Sequence, residues 1–254
     1  IRVIDFSSLK KNQLDNRKIN LINVNFNQKK PFNIITSKSN NYIKKSFDIA
    51  LKILNTKITN KLINGPISKK HFLKKRYLGI TEYLAYKTKY KNCAMLIYNK
   101  DLSVCPLTTH LPIKKVSKYI NKNNIKKKIE LLDIFFKKYL KTKPQIAVTG
   151  LNPHCESIDL FNEDEKIIKP SIKSLIKSNY KIFGPFAADT VFLKKNRKKY
   201  NIIVGMYHDQ VLTPMKTLFE YNAINITLGL PFLRISPDHG PNIKMVGKNK
   251  SDPT

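Results

Sequence analysis

The chain has 254 residues, and 48 Lys plus Arg set against 17 Asp plus Glu give a formal charge of +31 with histidine neutral. Its 41% apolar residues, with 12 Tyr and 13 Phe, suffice to build a core in one large domain or two small ones and disfavour a wholly disordered chain. No run of about 18 apolar residues occurs, which excludes a conventional membrane-spanning helix.

The charge raises the local concentration of anions without naming a function. Its lysines are diffuse: Lys118, Lys122 and the run Lys126-Lys127-Lys128 recur between Tyr119, Ile120, Ile125 and Ile129, the pattern of a solvated face. No zinc finger or RNP-like aromatic pair accompanies them, so dedicated nucleic-acid binding is not expected. Cys93, Cys105 and Cys155 are odd in number and scattered, which fits a reducing, cytoplasmic compartment without a disulfide framework. The opening Ile1-Arg2-Val3-Ile4-Asp5 lacks Met and a signal-like stretch, as expected of a processed or partial chain.

Along the chain, Ile22 to Phe26 alternates apolar residues with Asn and reads as a half-buried strand. The segment 29–41 has no clear period. From Tyr42 to Leu54, Ile43, Phe47, Ala50, Leu51 and Leu54 recur at helical spacing and predict an amphipathic helix packed on a sheet. Cys93 to Tyr98 and Leu102 to Leu107, split by Asn99-Lys100-Asp101, predict a hairpin or strand pair. Helical patterns follow at Pro112 to Ile120 and Ile125 to Leu140, then a strand at Gln145 to Thr149 and a helix from Glu163 to Ile176 that Pro170 kinks or divides. Tyr180 to Phe183, Ala188 to Lys194, Ile202 to Met206 and His208 to Phe219 continue the alternation, and Ala223 to Leu228 and Phe232 to Ile235 add strands. The expected architecture is α/β, a mixed sheet with helices on both faces.

Functional groups of such sheets gather in loops beyond strand ends. That places Asn152-Pro153-His154, after one predicted strand, and His208-Asp209-Gln210, after another, in favoured positions. Of the five histidines, His71, His110, His154, His208 and His239, four lie at or beside a predicted strand end. Imidazole is mostly neutral near pH 7 and suits a divalent metal. The spacing alone reads equally well as polar loop or capping residues. Lys216, Asn225 and Arg234 could hold a phosphate or carboxylate, although each also reads as an ordinary surface, edge or turn residue. Arg234 lies between Leu233 and Ile235, and if buried its charge needs a partner. Neither G-x-G-x-x-G after a strand nor G-x-x-x-x-G-K-[ST] occurs, so a conventional Rossmann domain is not expected.

Five strings taken in order are specific. Leu107-Thr108-Thr109-His110-Leu111-Pro112, Gly150-Leu151-Asn152-Pro153-His154, Gly184 through Thr190, Met206-Tyr207-His208-Asp209-Gln210, and Asn225 through Pro231 followed by Asp238-His239-Gly240 closely resemble the 4-hydroxythreonine-4-phosphate dehydrogenase family of pyridoxal phosphate biosynthesis. The likeness runs from about Leu62 to the C-terminal end and more loosely upstream. It implies a two-domain α/β fold like that of isocitrate and isopropylmalate dehydrogenases, with mixed sheets and no Rossmann fold. Residues 1–74 would form part of the first domain, completed by 245–254, and 75–244 the second, carrying the site. It further implies a homodimer with the active site near the subunit interface, NAD or NADP, and a divalent metal such as zinc, magnesium or cobalt. By the same resemblance His110, His154 and His208 are metal ligands, and Thr81, Lys216, Asn225 and Arg234 bind substrate. Lys69, Asp209 and Asp238, with His239, match further conserved positions, the first three with catalytic roles.

The implied reaction oxidises 4-phosphooxy-L-threonine to a β-keto acid that loses carbon dioxide to give 3-amino-2-oxopropyl phosphate. Two departures stand out. Ile80 occupies a position where the family has histidine, and Cys155-Glu156-Ser157-Ile158-Asp159 replaces a small, glycine-rich stretch. These changes keep open a related dehydrogenase for another phosphorylated or carboxylated hydroxy acid, and an inert binding protein of the same fold.

Overall fold

A computed structural model describes residues 1–9, 14–15, 17–28, 30, 32–73 and 76–251. Near the N-terminus β1 (Arg2–Val3) and β2 (Asn20–Leu21) form a small parallel pair. The expected strand at Ile22 to Phe26 is not one: those residues carry no ladder. Burial alternates from Ile22 to Asn25 but not at Phe26, which is exposed; a strand also needs a backbone partner, and the chain pairs two residues earlier instead.

Next come α1 (Asn40–Asn55), β3 (Lys61–Ile63), α2 (Lys69–Phe72) and α3 (Ile80–Thr88). The helix expected at Tyr42 to Leu54 is thus present and slightly longer. β4 (Ala94–Tyr98) and β5 (Ser103–Pro106) form the expected antiparallel pair, and α4 (Val116–Tyr119) follows a short 3-10 turn at Ile113–Lys115. α5 (Lys122–Phe135) widens into a π turn at Phe136–Leu140 before β6 (Ile146–Thr149). A second π turn, Asp164–Ile168, leads into α6 (Lys169–Lys177). The division falls where Pro170 stands, since Pro170 has no N–H to return to the preceding turn. β7 (Ile182–Phe186), α7 (Ala188–Val191), α8 (Lys194–Arg197), β8 (Ile202–Gly205), α9 (His208–Phe219), β9 (Ile224–Leu228) and β10 (Leu233–Pro237) complete the order.

Eight strands form one mixed sheet in the order β3-β10-β9-β4-β5-β8-β6-β7. β5, β8, β6 and β7 run parallel, whereas β9 is antiparallel to both β4 and β10. Side chains alternate between two apolar layers, as the pleat requires. One layer takes Leu96, Cys105, Val148, Val204 and Ile226 together with Ile129 and Leu132 of α5 and Ile172 of α6. The other takes Met95, Ile97, Val104, Ala147 and Ile203 with Val191 of α7 and Val211 and Met215 of α9. Helices therefore cover both faces. A third cluster of Phe47, Leu73, Ile80, Tyr83 and Leu84 gathers α1 and α3 beside the β3 end of the sheet. Among the described residues no helix is long and apolar enough to cross a membrane.

Candidate active site

The topology fixes where the histidines emerge. β5, β8 and β6 are parallel neighbours, so the segments after them leave one edge of the sheet side by side. His110 follows β5 and His208 opens α9 after β8; their ring centroids are 5.8 Å apart. Gln210 ties two of these exits together. Its Oε1 accepts from Met206 N at 2.7 Å and from Thr149 Oγ1 at 2.9 Å, while its Nε2 donates to Gly150 O at 2.8 Å.

His154 follows β6 on the far side of β8, in an exposed 3-10 turn with φ of 56°. Asp164, 1% exposed, holds the start of that loop by accepting from Leu151 N at 2.7 Å, Asn152 N at 3.1 Å and Asn152 Nδ2 at 2.9 Å. The structure thus brings His110 and His208 together and leaves His154 apart. Among the described residues no three His, Cys, Asp or Glu side chains gather closely enough to hold an ion.

Beside the pair, a cavity of about 450 Å³ is lined by Asn64, Lys69, Thr81, Asn225, Arg234 and Asp238 among others, with His110 and His208 at its wall. Its floor follows from strand register: Asn225 and Thr227 on β9 share a face with Arg234 and Ser236 on β10, where Thr227 lies opposite Arg234. Arg234 is 3% exposed. Its Nε donates to Asn64 Oδ1 at 2.8 Å and its Nη1 to Thr227 Oγ1 at 3.1 Å, and Thr227 Oγ1 lies 3.2 Å from Thr81 Oγ1. Both direct partners of Arg234 are neutral. Burial brings its guanidinium down to about 10, with Glu82 pulling the other way.

Lys216 of α9 is ion-paired with Asp238, whose side chain is 2% exposed, and lies 5.4 Å from the centre of the Tyr221 ring. Among the described residues, Asn225 Oδ1 and Asp238 Oδ1 are buried with no donor. Lys69 opens α2 with its Nζ 3.5 Å from His110 Nε2. Asp209 accepts at 2.6 Å from His208 Nδ1 and is otherwise largely exposed. His239 lines the cavity and packs edge-on against Tyr221. Ile80, where the resemblance leads one to expect histidine, is 7% exposed and belongs to the third apolar cluster while also lining the cavity.

Several contributors carry no separate sequence signal. Asn64 and Arg234 are 170 residues apart, and nothing in the sequence joins Glu82 to His110. Thr227 was legible in principle, because it stands two residues after Asn225 and so on the same strand face. Glu82 Oε1 lies 3.8 Å from His110 Nδ1 and accepts from Thr109 Oγ1 at 3.4 Å. Burial alone would raise the Glu82 carboxyl, but its interaction with His110, its own backbone N–H and the charge of Lys69 hold it below the usual range.

The profile of the pyridoxal phosphate biosynthetic protein PdxA matches residues 1–254. The chain belongs to this family. It is 43% identical over 210 residues to a 4-hydroxythreonine-4-phosphate dehydrogenase from Sulfurihydrogenibium sp., covering 81% of this chain and 64% of the relative. It is 36% identical over 195 residues to a D-threonate 4-phosphate dehydrogenase from Pectobacterium atrosepticum, covering 76% and 60% respectively. The chain therefore spans less than two thirds of the length of these curated relatives. A crystal structure of a 4-hydroxythreonine-4-phosphate dehydrogenase from Klebsiella pneumoniae superposes with a TM-score of 0.73 at 30% identity, covering 86% of this chain and 68% of that one.

Proposed function

We propose that this chain forms the substrate site of an NAD(P)- and divalent-metal-dependent dehydrogenase. Its reaction would oxidise the C3 hydroxyl of 4-phosphooxy-L-threonine, pass hydride to the nicotinamide, and release carbon dioxide from the β-keto acid to leave 3-amino-2-oxopropyl phosphate. The observation that carries this reading is the complementarity of one cavity. It sets the buried Arg234, suited to phosphate or carboxylate, beside two buried acceptors without donors, Asn225 Oδ1 and Asp238 Oδ1, and Lys216 reaches its edge through the ion pair with Asp238. A phosphorylated amino acid offers both the anions and an ammonium with three donors.

The donor set fits a metal in part. His110 and His208 each have a carboxylate at Nδ1, Glu82 at 3.8 Å and Asp209 at 2.6 Å, which is how ligating imidazoles are commonly backed. In this reading His110 and His208 would hold the ion with His154, the active site lying near the interface of a homodimer. A bound divalent ion supplies Lewis acidity at the substrate hydroxyl and at the ketone it becomes. Among the described residues no glycine-rich strand-to-helix turn cradles a dinucleotide, so the steps performed by this chain's residues concern the substrate. Arg234 and Lys216 orient its anionic ends, with Asp238 fixing Lys216 and Thr81 bracing the Thr227 that Arg234 bonds. Lys69 would relay the hydroxyl proton and return a proton to carbon after carbon dioxide leaves. Asp209 orients His208.

The same reading includes an arrangement like that of isocitrate and isopropylmalate dehydrogenases, with residues 1–74 in a first domain and 75–244 in a second. Two features cross that boundary: the third apolar cluster joins Phe47 and Leu73 to Ile80, Tyr83 and Leu84, and β3 pairs with β10. The expected completion by 245–254 includes 252–254, which lie outside the described residues. A cytoplasmic location accords with three free cysteines.

A second reading, a dehydrogenase for a phosphorylated hydroxy acid without the amine, is favoured by Ile80 and by the D-threonate 4-phosphate relative. The full-length protein should be assayed for NADH and NADPH formation from 4-phosphooxy-L-threonine and from D-threonate 4-phosphate, with chelator and with added zinc, magnesium or cobalt. Turnover of the amino acid, abolished by chelation and restored by metal, is the expected result. Oxidation of D-threonate 4-phosphate alone would replace the first reading with the second, and turnover of neither would remove both.

A further inference from the structure

We propose that Glu82 is a positioning residue that holds His110 as the Nδ1–H tautomer, leaving the Nε2 lone pair directed toward Lys69 and the cavity. The inference rests on the place given to His110 in the proposed site. A neutral imidazole has one donor nitrogen and one acceptor nitrogen, and its neighbours decide which is which. At Nε2 the nearest partner is Lys69 Nζ at 3.5 Å. An ammonium can only donate, so Nε2 is the acceptor. At Nδ1 the nearest charged group is Glu82 Oε1 at 3.8 Å. A carboxylate can only accept, so Nδ1 carries the hydrogen. The two sides of the ring assign the same tautomer independently.

The surroundings leave that hydrogen nowhere else to go. His110 Nδ1 and Glu82 Oε2 are both buried and, among the described residues, without a hydrogen-bond partner, so a small closing movement of Glu82 from 3.8 Å would serve both. Thr109, the residue before His110, donates to Glu82 Oε1 at 3.4 Å and steadies the carboxylate from the same segment. Gly79 makes the approach possible, since a Cβ there would stand 2.7 Å from Glu82 Oε2 and 3.1 Å from His110 Cε1. Its φ of −159° is ordinary extended backbone, so what glycine contributes is space. His208 has an acidic neighbour too, but Asp209 is 77% exposed and competes with water, whereas Glu82 holds its ring from within the protein. Free histidine in water favours the opposite, Nε2–H form, so the tautomer measures what Glu82 does.

The test is the ¹⁵N chemical shifts of the His110 ring in the full-length, metal-free protein at about pH 8, where imidazole is mostly neutral. Nδ1–H in the wild type is expected. Glu82→Gln should keep it, because the amide oxygen still accepts, and Glu82→Leu should move the ring to Nε2–H. Zinc binding should weaken by roughly 10- to 100-fold in Glu82→Leu and by much less in Glu82→Gln. A wild-type ring in the Nε2–H form overturns the proposal whether or not any variant folds, and so does a folded Glu82→Leu protein whose ring is unchanged. Because the tautomer is read without metal, a wild type that shows Nδ1–H yet binds no zinc would remove the metal reading and leave the role of Glu82 standing.

Discussion

Replacing Arg234 with Met should make the ligand-free protein more stable and the ligand-bound protein less so. Arg234 is 3% exposed and its bonded partners, Asn64 and Thr227, are neutral, so its charge is buried without a directly bonded anion, and Glu82 offsets only part of the burial. Its guanidinium is brought down to about 10 by burial, and at about 1.4 kcal/mol per pH unit, keeping it protonated at neutral pH costs on the order of 3 kcal/mol. Methionine removes that cost but forfeits two hydrogen bonds, each contributing about 1 kcal/mol. Thr227 keeps Thr81 as a partner and Asn64 is only half-buried, so a net gain of about 1 to 2 kcal/mol remains. In a domain of this size that raises Tm by roughly 2 to 6 °C.

Sign and pH window follow from the same shift. The folded pKa lies below the unfolded one, so the penalty is complete below about pH 10 and shrinks as pH rises above it toward the unfolded value. The difference between variant and wild type should therefore hold steady up to about pH 10 and narrow only above it. Substrate reverses the order: a ligand at 100 times its Kd adds about 2.7 kcal/mol to the wild type, and the variant should lose most of that increment. Thermal melts with and without 4-phosphooxy-L-threonine measure both halves. A variant that is less stable without ligand, yet gains the full increment with it, would refute the reasoning.

Three further substitutions probe the supports of the site. Asp164→Asn removes one of the acceptors that hold Leu151 and Asn152 and should cost about 1 to 3 kcal/mol; faster amide exchange at those two residues is the accompanying sign, and unchanged protection would speak against it. Gly79→Ala should change stability by less than about 1 kcal/mol, because reduced unfolded-state freedom offsets part of the crowding. It should nonetheless disturb the ring signals of His110, and identical ring signals would show that the space over Glu82 is unimportant. Ile80→His puts a polar ring into an apolar cluster and should cost about 1 to 3 kcal/mol, while lowering KM for 4-phosphooxy-L-threonine; an unchanged KM would mean that this position does not meet the substrate.

What the sequence disclosed depended on whether its signal was local. The helix beginning at His208 was bounded correctly at both ends, since a strand, a polar turn and an amphipathic period follow each other without a break. The pair β4 and β5 was equally plain from Asn99-Lys100-Asp101 between two apolar runs. By contrast, β3 has three residues, too few for any period, and becomes a strand because β10 lies alongside it. Ile22 to Phe26 shows the converse: alternation specifies a face, and only a neighbouring backbone makes it a strand.

The site divides along the same line. His110, His208, Lys216 and Arg234 were picked out by the family resemblance, since residue type and position alone read equally well as loop or surface residues. Asn64, Glu82 and Asp164 were not, because each acts on a residue brought to it only by the fold. His154 marks the boundary between the two cases. Its place after β6 puts it on the correct edge, but β8 lies between β6 and β5, and neighbouring strands are about 4.8 Å apart. Adjacency brings the rings of His110 and His208 within 5.8 Å, whereas His154 starts one strand further away and its loop, pinned by Asp164, faces outward. Among the described residues this edge of the sheet therefore brings two of the three imidazoles together and leaves the third a strand's width away.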